Sequence, residues 1–485
     1  MRNLVAIVGV FVIAHLVACG YDPHPINGAL PCTSHCPSGY VCTNKFCYLT
    51  GTGPDGGDAG GTAGMDAGDA SHSDALAPAI SNFTAEPESI LTGQSSTLSW
   101  SVTGATSLSI DQGIGSVMGR NSQQVTPNQT TTYTLTLNDS VSSSVTVTVL
   151  NGTFTVTGTM VTPRDSHTAL SLQDGRVLIV GGTAFNEPIA SAEIYDPTTG
   201  TFAATGDMTV ERAWNTTTLL PGGKVLVTGG FDGSSHLASA ELYDPNTGTF
   251  SSTAGSMTVP RSSHVAALLQ NGLVLIAGGW DGLTGLTSAE LYDPKTSKFT
   301  PTGGMEAIRQ IPSATVLPSG QVLVAGGFDG ADDLASAELY DPKSAGFLST
   351  GPMHAARETH TATLLENGQV LIVGGLNGTG SLASAELYDP SAGTFTAIAS
   401  MTLPRDSHTA TLLQNGMVLI AGGENFPSAL ASAKVYDPAT ATFAATGSMS
   451  EPRQGHTATL LPNGQVLIAG GFDQTMDFGP AELYQ

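Results

Sequence analysis

The chain has 485 residues, enough for several domains, and its net charge of -24 comes from a shortage of basic residues, with Lys+Arg 16 against Asp+Glu 40. Such a balance repels phosphate backbones and argues against a nucleic-acid partner. No basic amphipathic stretch points to peripheral membrane binding.

Residues 1–18 read as a targeting segment: Arg2 precedes an apolar run from Leu4 to Val17 that is short for a membrane span. The run ends in Leu16-Val17-Ala18-Cys19-Gly20, which resembles a bacterial lipobox. That resemblance implies a lipoprotein acylated on Cys19, and the lack of Asp after Cys19 points by the same analogy to the outer membrane. An ordinary cleaved signal or an uncleaved anchor is the alternative. Residues 19–50 hold Cys32, Cys36, Cys42 and Cys47, and export to an oxidising compartment predicts two disulfides among them. All three pairings stay open. A zinc site with His35 as a spare ligand is the competing reading, weakened by the lack of paired C-x2-C knuckles.

Residues 51–77 are almost all Gly, Ala, Asp, Ser and Thr, which predicts a disordered acidic tether. From 78 to 150 the segments "SSTLSWSV", "TTYTLTL" and "SSVTVTVL" alternate hydroxyl and apolar residues, the pattern of a small antiparallel sandwich. "GQSSTLSW" and "VTPNQTTTYTLTL" resemble bacterial immunoglobulin-like spacer domains, with Trp100 as the core tryptophan.

The array at 151–485 repeats. Gly-Gly pairs begin at Gly181, Gly229, Gly278, Gly326, Gly374, Gly422 and Gly470, spaced by 48 or 49 residues. Each follows an apolar run such as "VLIVGG" and precedes "SAELYDP" or a close variant, so each period reads as four strands. Asp174-Gly175, Asn271-Gly272 and Asn415-Gly416 are hairpin turns between the first two. Four strands, a glycine pair and a period near fifty mark propeller blades. The array resembles the kelch-repeat, galactose oxidase-like superfamily, with Phe202, Phe250, Phe299, Phe347, Phe395 and Phe443 where that family usually carries Trp. The fold expected is therefore all-β: a seven-bladed kelch-type β-propeller preceded by a small immunoglobulin-like β-sandwich. "GTFTVTGTM" at the start is a lone fourth strand, and "AELYQ" at the end is a third strand without its fourth. Together they predict ring closure by strand 152–158, with six blades and a spare fragment as the alternative.

An arginine opens every unit: Arg164, Arg212, Arg261, Arg309, Arg357, Arg405 and Arg453. A histidine follows three residues later at His167, His264, His360, His408 and His456, replaced by Asn215 and Pro312 in the other two. Asp406-Ser407-His408 looks like parts of a hydrolase triad, but a triad needs one copy whose members surround a bond. Equivalent positions around the ring also stand about 7 Å apart, too far to share a metal whose ligands converge to about 3 Å. Arg and His are therefore assigned to the joints between blades, with the glutamate of "SAE" (Glu193, Glu241, Glu290, Glu338, Glu386, Glu482) as the arginine's partner and Lys434 in its place once. No catalytic residue, metal or cofactor is assigned.

Departures from the repeat carry the functional expectation. Phe231, Trp280, Phe328 and Phe472 follow the glycine pairs, beside Asp232, Asp281, Asp329 and Asp473, on the face that also holds Trp214. Aromatic rings flanked by carboxylates suit a protein or glycan ligand. The expectation is a monomeric, lipid-anchored binding module of the cell envelope. A propeller enzyme acting on carbohydrate and a purely structural scaffold are the alternatives. The copper chemistry of galactose oxidase, which the resemblance ties to a Cys–Tyr crosslink, finds no cysteine after Cys47.

Overall fold

The apolar runs ahead of the glycine pairs, such as Val177–Val180 and Val370–Val373, form strands buried at every residue in the computed structural model of the chain. A strand buried on both faces must lie between two other layers, and a second blade strand does so between neighbouring blades. The structure describes residues 30–31, 40–43, 46–49, 77–91, 94–150 and 152–485. Signal residues 1–18, Cys19, Cys32, Cys36 and the tether up to residue 76 lie outside the described residues. So does any disulfide, since Cys42 and Cys47 are described only as backbone.

Two units divide the chain, Met1–Ala75 and Leu76–Gln485. In the first, Leu30–Pro31, Phe46–Leu49 and Tyr40–Thr43 form one antiparallel sheet that sets Cys42 opposite Cys47 in register. The second begins with two facing sheets. One contains Ala79–Glu86, Ser96–Thr103 and Ser122–Val125; the other is built on Thr131–Leu137 and Val141–Leu150. Their alternating residues Leu98, Trp100, Leu135, Leu137 and Val147 meet in one core. Trp100 is buried there and its indole N–H donates to the Arg120 carbonyl at 3.0 Å, so a large ring is buried without stranding its donor.

Seven four-stranded antiparallel sheets follow. The first blade runs Thr168–Ser171, Val177–Val180, Ala192–Asp196 and Thr201–Ala204, and the next five repeat that order. In the seventh, Thr457–Leu460, Val466–Ala469 and Pro480–Tyr484 are completed by Phe154–Thr159, with Phe154 opposite Tyr484 and Val156 opposite Glu482. The ring is thus closed by a strand from its own beginning, and no open edge separates first blade from last.

Each core cluster draws on two blades. Leu178 and Val180 of the first pack with Val225, Val227 and Tyr243 of the second, with Met208 filling between them. Each fully buried Val or Leu contributes about 1.5–3 kcal/mol, so cohesion lies between sheets more than within them. Further out, Tyr195 and Phe202 stand opposite in register with ring centroids 4.8 Å apart. In five blades the tyrosine hydroxyl shares a hydrogen bond with a threonine of the preceding blade, as in Tyr243–Thr205 at 2.8 Å and Tyr388–Thr350 at 3.0 Å. Ile398 takes that threonine's place before Tyr436, whose hydroxyl has no partner.

Antiparallel alternation gives the propeller two faces. First strands begin and second strands end on the upper face; the tight hairpins lie on the lower one.

Candidate functional site

The seven arginines are among the largest fully buried side chains. Nη1 of Arg164 donates to the carbonyls of Gly181 at 2.9 Å and Ser191 at 2.8 Å, pinning the end of the second strand to the start of the third. Arg405 does the same with Gly422 at 2.7 Å and Ser432 at 2.9 Å. Six arginines also meet the glutamate of their own third strand: Arg164–Glu193 2.8 Å, Arg212–Glu241 3.1 Å, Arg261–Glu290 3.4 Å, Arg309–Glu338 2.9 Å, Arg357–Glu386 2.9 Å and Arg453–Glu482 3.1 Å. A buried charge needs both a counter-ion and hydrogen bonds, and these have both. Every one of these partners lies within the arginine's own blade. The side chain therefore braces one blade, where the sequence reading had assigned it to the joint.

The joint belongs to the histidines. Nε2 of His264 shares a hydrogen bond with Thr216 Oγ1 of the preceding blade at 2.9 Å. His167 pairs with Thr457 at 2.9 Å, His360 with Ser313 at 2.8 Å, His408 with Thr361 at 2.9 Å and His456 with Thr409 at 3.0 Å. Asn215 substitutes by donating to Thr168 Oγ1 at 3.4 Å. Pro312 can make no such bond, and the position that would supply its hydroxyl is Val265. Burial, with the neighbouring arginine adding to it, pushes His167, His264, His360 and His456 down to about 3 and His408 well below its ordinary value. These rings are neutral and serve as packing with one polar edge.

The glycine pairs belong to the same joint. Gly182 and Gly230 donate to the arginine carbonyls of the next blade, Arg212 at 2.8 Å and Arg261 at 2.9 Å. Gly229 has φ +60 and a Cβ there would strike the Arg261 carbonyl and the His264 ring, so no other residue fits.

Around the axis on the upper face, the residue two after each arginine adopts positive φ: Ser166, Trp214, Ser263, Ile311, Thr359, Ser407 and Gly455. Ser263 N–H donates to the Trp214 carbonyl, and Ile311 N–H to the Ser263 carbonyl, both at 3.0 Å, linking successive blades into an inner ring. Left-handed backbone costs a non-glycine residue about 1–2 kcal/mol, so the ring is held by its neighbours. The two units that lack the histidine present large apolar side chains here: Trp214 is 47% exposed and Ile311 40%. Trp214 lies 6.0 Å from Phe231, and Phe231 5.0 Å from His236.

The residue after each glycine pair forms a β-bridge to the residue after the arginine: Phe231 with Ala213, Trp280 with Ser262, Phe328 with Gln310 and Phe472 with Gln454. These four aromatic rings are half-buried on the upper face. Their neighbours Asp232, Asp281, Asp329 and Asp473 turn inward, accepting backbone N–H groups of their own loops, such as Ser235 at 2.7 Å and Thr284 at 2.7 Å. The Ser234 and Thr475 hydroxyls at Asp232 and Asp473, and the backbone amides at Asp281 and Asp329, hold the four carboxyls below the usual range. Three other carboxylates, Glu358, Asp406 and Glu424, cluster at the fifth and sixth blades, with Asp406 buried and accepting from Ser381 at 2.7 Å and Ser407 at 3.0 Å. Burial, with Asp333 and Asp406 nearby, pushes Glu358 up, and burial with Asp406 pushes Glu424 up. Sequence reasoning passed over this acidic group, although Glu358 and Asp406 share one repeat position, because most other units carry an uncharged residue after the arginine. It also passed over the joint hydroxyls, although Thr or Ser follows the His position in every unit but one.

The mouth is therefore two-sided. Trp214, Phe231, Trp280, Ile311 and Phe328 come from the second to fourth blades; Glu358, Asp406 and Glu424 come from the fifth and sixth. The exposed Lys224, Lys295, Lys298 and Lys343 of the propeller and the half-buried Arg176 all lie in hairpins, turns and strand starts of the lower face.

The Kelch motif family matches residues 166–209, 215–255, 261–306 and 367–402, which fall on the first, second, third and fifth blades. The chain carries kelch repeats folded as a β-propeller. Among solved structures, the kelch propeller is similar to a fungal alcohol oxidase of the AA5 family in complex with copper. The TM-score is 0.57 at 17% identity, covering 68% of this chain and 75% of that one. Another similar structure is YjhT, at TM-score 0.48 and 13% identity, covering 59% of this chain and 98% of that one. No curated protein sequence matches the chain. The alcohol oxidase shares the fold at an identity too low to carry chemistry across. A copper site built on a Cys–Tyr crosslink does not fit the donors of this kelch propeller. No cysteine follows Cys47, and each joint histidine spends Nε2 on a hydroxyl of another blade.

Proposed function

We propose that the kelch propeller is a non-enzymatic binding module whose upper face takes a protein or glycan ligand. The Cys19 lipid anchor and the acidic tether would hold it at the cell envelope. The observation that carries this reading is the two-sided mouth, with exposed Trp214 on one flank and the half-buried Glu358 and Glu424 on the other. Aromatic faces take planar or apolar bodies and cations, and clustered carboxylates draw cationic groups. A basic polypeptide segment or an amino sugar meets both demands. The lack of Lys in the upper-face loops, whose only arginines are the seven buried ones, supports the same partner chemistry.

The full chain, tested against a glycan array and against secreted protein fractions, should bind in a salt-sensitive way. Trp214→Ala and Trp280→Ala should each weaken that binding about tenfold, as loss of a central aromatic contact does, while leaving the thermal midpoint unchanged. Binding indifferent to both changes would remove the mouth as the site, and no binding at all would favour a structural scaffold.

A further inference from the structure

Six blades build the same small enclosure on the upper face. The third-strand glutamate accepts the first amide after the methionine: Val161 at 2.7 Å, Thr209 at 2.8 Å, Thr258 at 2.9 Å, Glu306 at 2.7 Å, His354 at 2.8 Å and Ser450 at 2.9 Å. In four blades the following amide joins it: Thr162 at 2.9 Å, Val259 at 3.4 Å, Ala307 at 3.3 Å and Ala355 at 3.2 Å. The arginine Nη2 completes the set. Backbone amides and a guanidinium thus converge on one carboxylate whose side chain is at most 2% exposed.

The sixth blade keeps the donors and changes the acceptor. Lys434 occupies the glutamate's register, opposite Ile420 as Glu386 is opposite Ile372. Among the described residues, the amides of Thr402 and Leu403 have no acceptor. Arg405 is fully buried; its Nη1 holds two carbonyls, its Nη2 donates to Ser432 Oγ at 3.0 Å, and its Nε has no partner. Arg261 and Arg453 also leave Nε unpaired, but each has a carboxylate on Nη2. Lys434 is half-buried where the glutamates are buried, and Thr402 is exposed, so the enclosure can be reached from solvent.

We propose that the sixth blade binds a small carboxylate anion from solution, held by the amides of Thr402 and Leu403 and the Arg405 guanidinium, where the other blades use their own glutamate. Charge-assisted hydrogen bonds to such donors are the strong kind, and an uncompensated buried guanidinium is the costly alternative. Among the described residues no carboxylate offsets the burial of Arg405, which pulls its guanidinium down to about 10. The net charge of -24 opposes an anion only at long range, and physiological salt screens that field within about 8 Å.

Formate is the probe. At constant ionic strength it should raise the thermal midpoint of the full chain saturably, by about 3 °C more than it raises that of Lys434→Glu. Without formate, Lys434→Glu should already melt higher than the parent chain, because it restores the internal carboxylate. Broadening of the 13C-formate resonance by the parent chain should vanish in Lys434→Glu and persist in Lys434→Gln, which keeps every proposed donor. Equal formate responses in the parent and Lys434→Glu would overturn the proposal. So would loss of broadening in Lys434→Gln, which would assign the effect to the lysine ammonium alone.

Discussion

Two adjacent joints of the ring occupy equivalent places and use opposite chemistry. Between the second and third blades, His264 is bonded to Thr216 at 2.9 Å. Between the third and fourth, Pro312 stands in the histidine position and Val265 in the hydroxyl position. Both polar members are gone together. A buried polar pair can be replaced whole at little cost, whereas removal of one member strands the other. The repeats within one chain thus behave as a small mutational series.

The largest effect expected in this comparison lies below both joints. Glu338→Gln leaves Arg309 buried without its counter-ion in the blade of Pro312, and should cost about 3–5 kcal/mol in urea unfolding. That is more than any change at the joint itself. Next, Val265→Thr places a buried hydroxyl opposite Pro312 and should cost about 1–3 kcal/mol. Adding Pro312→His should recover part of the loss, giving a coupling of about 0.5–3 kcal/mol; strict additivity would show that the two positions do not meet.

The most gradual effect, spread over several pH units, is set by the histidines. Burial takes His167, His264, His360 and His456 from near 6.5 when unfolded down to about 3 when folded, so unfolding takes up protons below 6.5. Their contribution is complete above pH 6.5 and is lost as pH falls from there toward 3. Each ring accounts for at most about 1.4 kcal/mol per pH unit. Unfolding free energies measured across this window should fall less steeply for His264→Asn, a change that copies Asn215, by about one proton's share. An unchanged slope would mean that His264 is protonated in the folded ring.

Much of the fold is legible in the sequence because each blade is written locally. The run "VLIVGG" is a strand buried on both faces followed by a backbone that tolerates no Cβ, and Asn-Gly or Asp-Gly turns fix the hairpins. The glutamate partner of the arginine lies only 29 residues on, in the same blade. The histidine partner lies in the neighbouring repeat, 48 residues from His264, where identical periods hide which copy meets which. The aspartates beside the aromatic rings also have a local role that the repeat pattern does not announce. Their oxygen atoms close the loops that carry them, a use that composition does not distinguish from ligand recognition. The acidic flank of the mouth was invisible because Glu358 meets Asp406 and Glu424 only when the fifth and sixth blades pack side by side.

The closing strand has a consequence for synthesis. Thr155 and Leu483 lie 328 residues apart, and Phe154–Thr159 emerges from the ribosome before any complete blade. It must then wait, with its edge unpaired, until Pro480–Tyr484 is made. During that interval the growing array exposes strand edges at both ends, the condition that invites mispairing between nascent chains. The step that finishes the ring is also its longest-range contact, and long-range pairings are the slow ones. The hydroxyl-rich, apolar-poor sequence of the closing strand, "FTVTGT", keeps that waiting segment soluble until its partner arrives.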